Sequence, residues 1–87
     1  MRFEFDPSKS DANRVKHGID FAKAQRLWSD PARVVIPSAY AQEARKLCVG
    51  RIGNEHWTAI FTERGEALRM ISVRRSRKSE KDIYEKR

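Results

Sequence analysis

Three arginines near the C-terminus carry the clearest chemistry in the chain: Arg69, Arg74 and Arg75. Arginine is permanently charged, and its planar fork matches a phosphate, or the pentacovalent transition state of phosphoryl chemistry, through paired hydrogen bonds. Regular strand alternation sends Arg69, Ile71 and Val73 to one face and Met70, Ser72 and Arg74 to the other. Only a bulge or the strand exit would reunite the arginines. A solvated edge of surface ion pairs explains the same residues without any chemistry.

The remaining titratable candidates each have a structural reading beside the chemical one. Lys16-His17-Gly18 closes a predicted helix. A histidine there is favoured by the helix dipole, and it is also the side chain suited to general acid–base work near neutral pH. Glu80 and Tyr84 are four residues apart on one face of a predicted final helix. Tyr84 reads as a packing residue with a polar tip, and Glu80 as the partner of a nearby arginine. Trp57 and Phe61 read as core before they read as platforms for stacked bases.

The charge balance widens the basic signal. Nineteen Lys and Arg oppose twelve Asp and Glu in 87 residues, a net charge of +7. From Arg69 to Arg87 eight cations face only Glu80, Asp82 and Glu85. A concentrated basic segment is the electrostatic footprint for a polyanion, although a dock for an acidic protein has the same composition.

Several classes are excluded by what the chain lacks. A single cysteine, Cys48, permits neither a disulfide framework nor a four-cysteine zinc site. His17 and His56 fall in different elements with no ligand spacing around them, so no metal is expected. Gly50-Arg51-Ile52-Gly53 lacks the Gly-Lys-Ser/Thr ending of a phosphate loop. No nucleophile motif for a Ser-His-Asp triad is present. No apolar run approaches the roughly 20 residues of a membrane span, and no signal-peptide stretch follows Met1. The expected compartment is the cytoplasm, with no membrane partner.

The elements that position these residues are legible from periodicity. Met1–Phe5 alternates as a short strand. Ser8–His17 reads as a polar helix stopped by Gly18. Asp20 caps a second helix, Phe21–Trp28, whose Phe21, Ala24, Leu27 and Trp28 share one face. Arg33–Ile36 is a short β-branched run and Pro37–Glu43 a loop. Strands at Arg45–Ile52, His56–Glu63 and Ala67–Val73 are joined by turns at Gly53-Asn54-Glu55 and Arg64-Gly65-Glu66. Ser76 is the expected cap of a last helix ending near Arg87. The order β-α-α-β-β-β-β-α predicts one α+β domain over residues 1–87, an antiparallel meander with two helices before it and one after.

The assembled pattern resembles the BrnT toxins of bacterial type II toxin–antitoxin systems. Its carriers are Phe3-Glu4-Phe5-Asp6-Pro7 with Lys9 and Asn13, then Lys16-His17-Gly18-Ile19 with Phe21 and Ala24. Asp30-Pro31, Arg45, Gly50 and Thr62-Glu63-Arg64-Gly65 follow, and Arg69-Met70-Ile71-Ser72-Val73-Arg74-Arg75 closes the set with Glu80 and Tyr84. The chain departs from the family at Phe5, where Trp is usual, and at Ser76-Arg77, where Ala-Thr is common.

The resemblance implies a RelE-like ribonuclease fold, in which helices pack on a curved antiparallel sheet. It implies metal-independent cleavage of RNA, inhibition of translation, and a BrnA-like antitoxin whose ribbon-helix-helix domain carries the complex to operator DNA. RNA supplies its own 2′-hydroxyl nucleophile, so the protein needs only to orient the phosphate, neutralise developing charge and move protons. On that chemistry Arg69 and Arg74 are expected to hold the scissile phosphate, with Arg75 and Lys16 supporting. His17 and Tyr84 are expected to take part in catalysis, and Arg77, Lys78 and Lys81 in RNA binding. No metal or other cofactor is expected. The competing readings are a non-catalytic RNA- or DNA-binding protein and a protein-interaction module.

Overall fold

The computed structural model describes residues 2–38 and 44–86. Met1, Arg87 and most of the expected Pro37–Glu43 loop lie outside the described residues. The described elements run β1 (Arg2–Glu4), α1 (Pro7–His17), α2 (Phe21–Ala24), a 3-10 turn (Gln25–Ser29), β2 (Val34–Pro37), β3 (Arg45–Ile52), β4 (Glu55–Arg64), β5 (Ala67–Arg75) and α3 (Lys78–Lys86). The fold is α+β, and no helix among the described residues is long and apolar enough to cross a membrane.

Strands β2 to β5 form the expected antiparallel meander. The sheet order is β1-β5-β4-β3-β2, and β1 lies parallel to β5, pairing Phe3 with Leu68. The sheet is therefore mixed, not wholly antiparallel. A parallel pair needs a long crossover, and here everything from α1 to β4 lies between its two strands.

Because β1 stops at Glu4, the outer edge of β5 is uncovered beyond Arg69. The Asn13 side chain from α1 takes over that edge. Its Nδ2 donates to the Val73 carbonyl at 2.9 Å and to the Ile19 carbonyl at 2.8 Å, while its Oδ1 accepts from the Val73 N–H at 3.2 Å. One amide thus does for Val73 what a neighbouring strand would do.

Asp6 caps α1 by accepting from the Ser8 N–H, Pro7 occupies the first turn, and Gly18 ends the helix at φ 82°. The predicted helix Phe21–Trp28 is instead one α-helical turn followed by a 3-10 turn. The reason is the spacing of its buried residues. Phe21, Ala24 and Leu27 recur every three positions, and three residues per turn keeps all three in the core. Gly50 lets this turn approach β3, since a Cβ there would sit 3.1 Å from Leu27 Cδ2.

The core fills the space between α2, the 3-10 turn and one face of the sheet. It joins Phe21, Ala24 and Leu27 to Cys48, Ala59, Phe61, Leu68, Met70 and Val73. Trp28 bridges Phe3 and Phe61 through edge-to-face contacts at 5.1 and 5.2 Å. Phe61 is core, as expected. Trp57 is half-buried against that core.

Candidate functional site

The other face of the sheet carries Arg69 and Arg74, and a β-bulge brings them together there. In β4–β5 the pairs Phe61–Met70 and Ile60–Ser72 leave Ile71 without an opposite residue. One extra residue resets the alternation for everything after it. Leu68, Met70 and Val73 consequently all face the core. Arg69 and Arg74, assigned to opposite faces by simple alternation, emerge on the same side.

Strand register arranges this face in three rows. The first is Arg45–Thr62–Arg69 across β3, β4 and β5. The second is Ile36–Leu47–Ile60–Ser72, beginning on β2. The third is Val34–Val49–Thr58–Arg74, with Val49 and Thr58 fully buried. Helix α3 covers this third row. Between α3 and the second row lies a cleft of about 410 Å³ whose cationic lining is Arg45, Arg74 and Arg77 and whose floor is Ile36, Leu47 and Ile60.

Arg74 is fixed at the edge of that cleft. Its Nη1 donates to Glu80 Oε1 and its Nη2 to Glu80 Oε2, both at 2.8 Å, and Nη1 also reaches the Arg75 carbonyl at 3.3 Å. Among the described residues the Nε–H and one Nη2–H have no partner. Glu80 is 5% exposed, and it also accepts from the Arg77 N–H at 2.8 Å and the Thr58 hydroxyl at 2.9 Å. Burial alone would raise its carboxyl, but the Arg74, Arg77 and Thr58 donors overcome that and hold it down at about 2. Glu80 in turn raises the Arg74 guanidinium above its ordinary value. Glu80 therefore stays ionised near neutral pH and carries no proton to transfer.

Ser76 does not cap α3. The Lys81 N–H reaches the Arg77 carbonyl, so the helix begins one residue later, and Glu80 satisfies the Arg77 N–H. With the Thr58 hydroxyl donating to Glu80, the Ser76 hydroxyl donates to Thr58 at 2.8 Å. This buried chain ties the start of α3 to β4.

The structure separates the other expected site residues. Arg75 pairs with Trp57 across the strands, lies 5.4 Å over its ring and forms an ion pair with Glu55. It sits on the face opposite Arg74. His17 is half-buried at the C-terminal turn of α1, with Lys16 exposed beside it, and it makes no hydrogen bond to the cleft residues. Tyr84 is buried one helical turn beyond Glu80, but its hydroxyl donates to Asp30 Oδ2 at 2.7 Å. It lines a second cleft, of about 400 Å³, with Arg26 and Arg51. On α3, Lys78 is exposed and pairs with Asp82 at 3.2 Å and Lys81 is half-buried, while Arg77, just before the helix, is exposed at the main cleft.

Spacing gives no site role to three residues that the structure sets against the expected ones. Arg45 joins Arg69 through Thr62 by register alone, a relation that strand pairing reveals and spacing does not. Asp30 also accepts from the Ala32 and Arg51 N–H groups, binding the end of the 3-10 turn to β3 as well as to α3. His56 meets the Tyr84 ring edge at 5.3 Å and Glu85 Oε1 at 3.0 Å. Among the described residues no group of three or more His, Cys, Asp or Glu is placed to hold a metal ion. Burial pushes the Cys48 thiol up to about 12, so it is no nucleophile.

A family model described as the ribonuclease toxin, BrnT, of type II toxin–antitoxin systems matches residues 5–80. No curated protein matches the chain.

Proposed function

The chain belongs to the BrnT family of ribonuclease toxins from type II toxin–antitoxin systems, and on that premise we propose that it cleaves RNA without a metal ion at the cleft beneath α3. The supporting observation is the shared face of Arg69 and Arg74, produced by the bulge at Ile71. Arg74 presents two N–H donors in a fork already oriented by Glu80. The Arg69 side chain makes no hydrogen bond or ion pair among the described residues, which leaves its charge available.

The reaction follows from this geometry. The RNA 2′-oxygen attacks the adjacent phosphorus and the 5′-oxygen leaves, giving a 2′,3′-cyclic phosphate and a 5′-hydroxyl. The two guanidinium groups hold the non-bridging oxygens and offset the charge that builds in the transition state. Glu80 acts by positioning Arg74. His17 is kept as the proton-transfer candidate and Lys16, Arg77, Lys78 and Lys81 as secondary contacts along the strand, whereas Tyr84, bound to Asp30 at the second cleft, and Arg75, on the opposite face against Trp57 and Glu55, do not reach this phosphate. Cleavage of cytoplasmic RNA blocks translation. A BrnA-like ribbon-helix-helix antitoxin neutralises the toxin and brings the pair to operator DNA. A purely binding role is disfavoured by the family assignment.

The test is incubation of end-labelled RNA with the purified protein in excess EDTA. Cleavage that persists and leaves a 2′,3′-cyclic phosphate, or its hydrolysis product, supports the proposal. Activity abolished by EDTA and restored by Mg²⁺ or Mn²⁺ rejects it.

A further inference from the structure

Three of the four residues in the second row of the open sheet face, Ile36, Leu47 and Ile60, have no group with which to hold a phosphate. Ile36, Leu47 and Ile60 lie side by side across β2, β3 and β4, all half-buried, and Ile83 of α3 stands over them, 41% exposed. An aliphatic floor left open to water is unfavourable unless something covers it in the working complex. On one side it is flanked by the Arg45–Thr62–Arg69 row, and on the other by Arg74 with Arg77 above it. Thr58 and Thr62, which mark the two cationic rows on β4, are four residues apart, about 13 Å at the usual strand rise.

We infer that this aliphatic strip is a nucleobase subsite: one unstacked base of single-stranded RNA lies on Ile36, Leu47, Ile60 and Ile83, with the scissile phosphate held between Arg69 and Arg74 at the β5 end of the row and the next phosphate held by Arg45. The inference rests on the ribonuclease reading and adds where the base adjoining the scissile phosphate goes. The chemistry fits in three respects. A base has apolar faces and carries a phosphate on each side, so its charges meet the cationic rows while its plane covers the floor. The cleft volume falls within the ~300–1,000 Å³ usual for small-ligand sites. The aliphatic floor itself reads no base edge, so any choice among bases falls to the Ser38 and Ser79 side chains that also line the cleft. A base in a duplex cannot enter without leaving its stack, so the subsite selects single strands. An acidic amphipathic peptide would also cover the floor, but it would need carboxylates placed on both flanks. An RNA strand supplies them at every nucleotide.

The experiment measures binding of the full chain to a short single-stranded RNA that carries a 2′-O-methyl group at every nucleotide, so that it binds without being cut. A second oligonucleotide is identical but lacks the central base, and a third is the first one in a duplex. The abasic strand should bind about tenfold more weakly, as expected for loss of a buried apolar surface. Ile83→Ala should weaken the intact strand by a similar factor and leave the abasic strand unchanged. Ile83 is partly exposed, and circular dichroism with thermal melting confirms the variant's fold. Equal binding of intact and abasic strands, equal binding of duplex and single strand, or an Ile83→Ala variant that binds RNA normally but loses an acidic amphipathic peptide would each overturn the subsite. Cleavage by the wild-type protein in the same preparation reads the ribonuclease assignment separately: cutting without base dependence rejects only the subsite, and no cutting of any RNA rejects the assignment.

Discussion

The guanidinium of Arg74 grips the carboxylate of Glu80 through two parallel hydrogen bonds of 2.8 Å, joining the exit of β5 to the first turn of α3. The carboxylate is almost wholly shielded from solvent, and the guanidinium is mostly so. One interaction thus anchors the last helix and aims the arginine assigned to the phosphate.

Removing Arg74 strands a buried charge. Arg74→Ala is expected to cost about 3 kcal/mol or more, the scale for breaking one side of a buried pair. Adding Glu80→Gln should recover part of that loss, because the neutral amide tolerates burial better. Urea denaturation of the two single variants and the double variant measures both terms. Additive losses would mean that the pair is energetically uncoupled.

Activity is better probed by variants that spare the fold. Arg69→Ala breaks no hydrogen bond or ion pair among the described residues, so the protein should melt normally while RNA cleavage falls roughly 100-fold, the scale of losing one preorganised donor. Arg74→Lys keeps a charge beside Glu80 but lacks the fork, and should lose activity comparably. Lys23→Ala, an exposed cation on α2, is the matched control. If Arg69→Ala cuts RNA as fast as that control, the catalytic placement is wrong.

Acid should release α3. Glu80 is held at about 2 in the folded chain against an ordinary value of 4.5. Its contribution is fully present above about pH 4.5 and is lost as the pH falls towards 2, because the unfolded carboxyl takes up its proton first. The amount is on the order of 3 kcal/mol. Chemical denaturation at pH 7, 4, 3 and 2.5 should show this loss in the wild type and a flatter acid limb in Glu80→Gln.

The Asn13 amide should matter to stability far more than its place on a polar helix suggests. Asn13→Ala leaves the Val73 N–H and C=O buried without partners, at roughly 1–3 kcal/mol for an unsatisfied group. The melting temperature should fall by several degrees or more. Hydrogen exchange at the Val73 amide should accelerate ahead of global unfolding.

RNA affinity should depend steeply on salt through release of counterions. Arg45→Ala and Arg77→Ala, both at the cleft, should each reduce the slope of log affinity against log salt by about one. Replacing Lys78 and Lys81 with Ala should flatten it less, since neither lysine lines the cleft. A larger effect from the lysine pair would move the RNA path onto the outer surface of α3.

Local signals determined the element plan. Asp6-Pro7 and Gly18 delimit α1, the positive-φ glycines Gly53 and Gly65 mark the hairpin turns, and apolar alternation marks the meander. These are short-range properties of backbone and side chain, so the residues that cause them stand next to one another. The basic surplus and the family motifs likewise lie along the chain. Only the tertiary structure decided which charged groups meet. The bulge at Ile71 depends on how β5 registers against β4, and it reverses the face that alternation assigns to Arg74 relative to Arg69. The parallel docking of β1, the divergence of Arg75 towards Trp57, and the union of Arg45 with Arg69 are likewise long-range pairings. A strand has a period of two, so a single unpaired residue moves every later side chain to the other face. Whether one residue is left over is settled by the best packing of the whole sheet against its core, which no stretch of the sequence contains by itself.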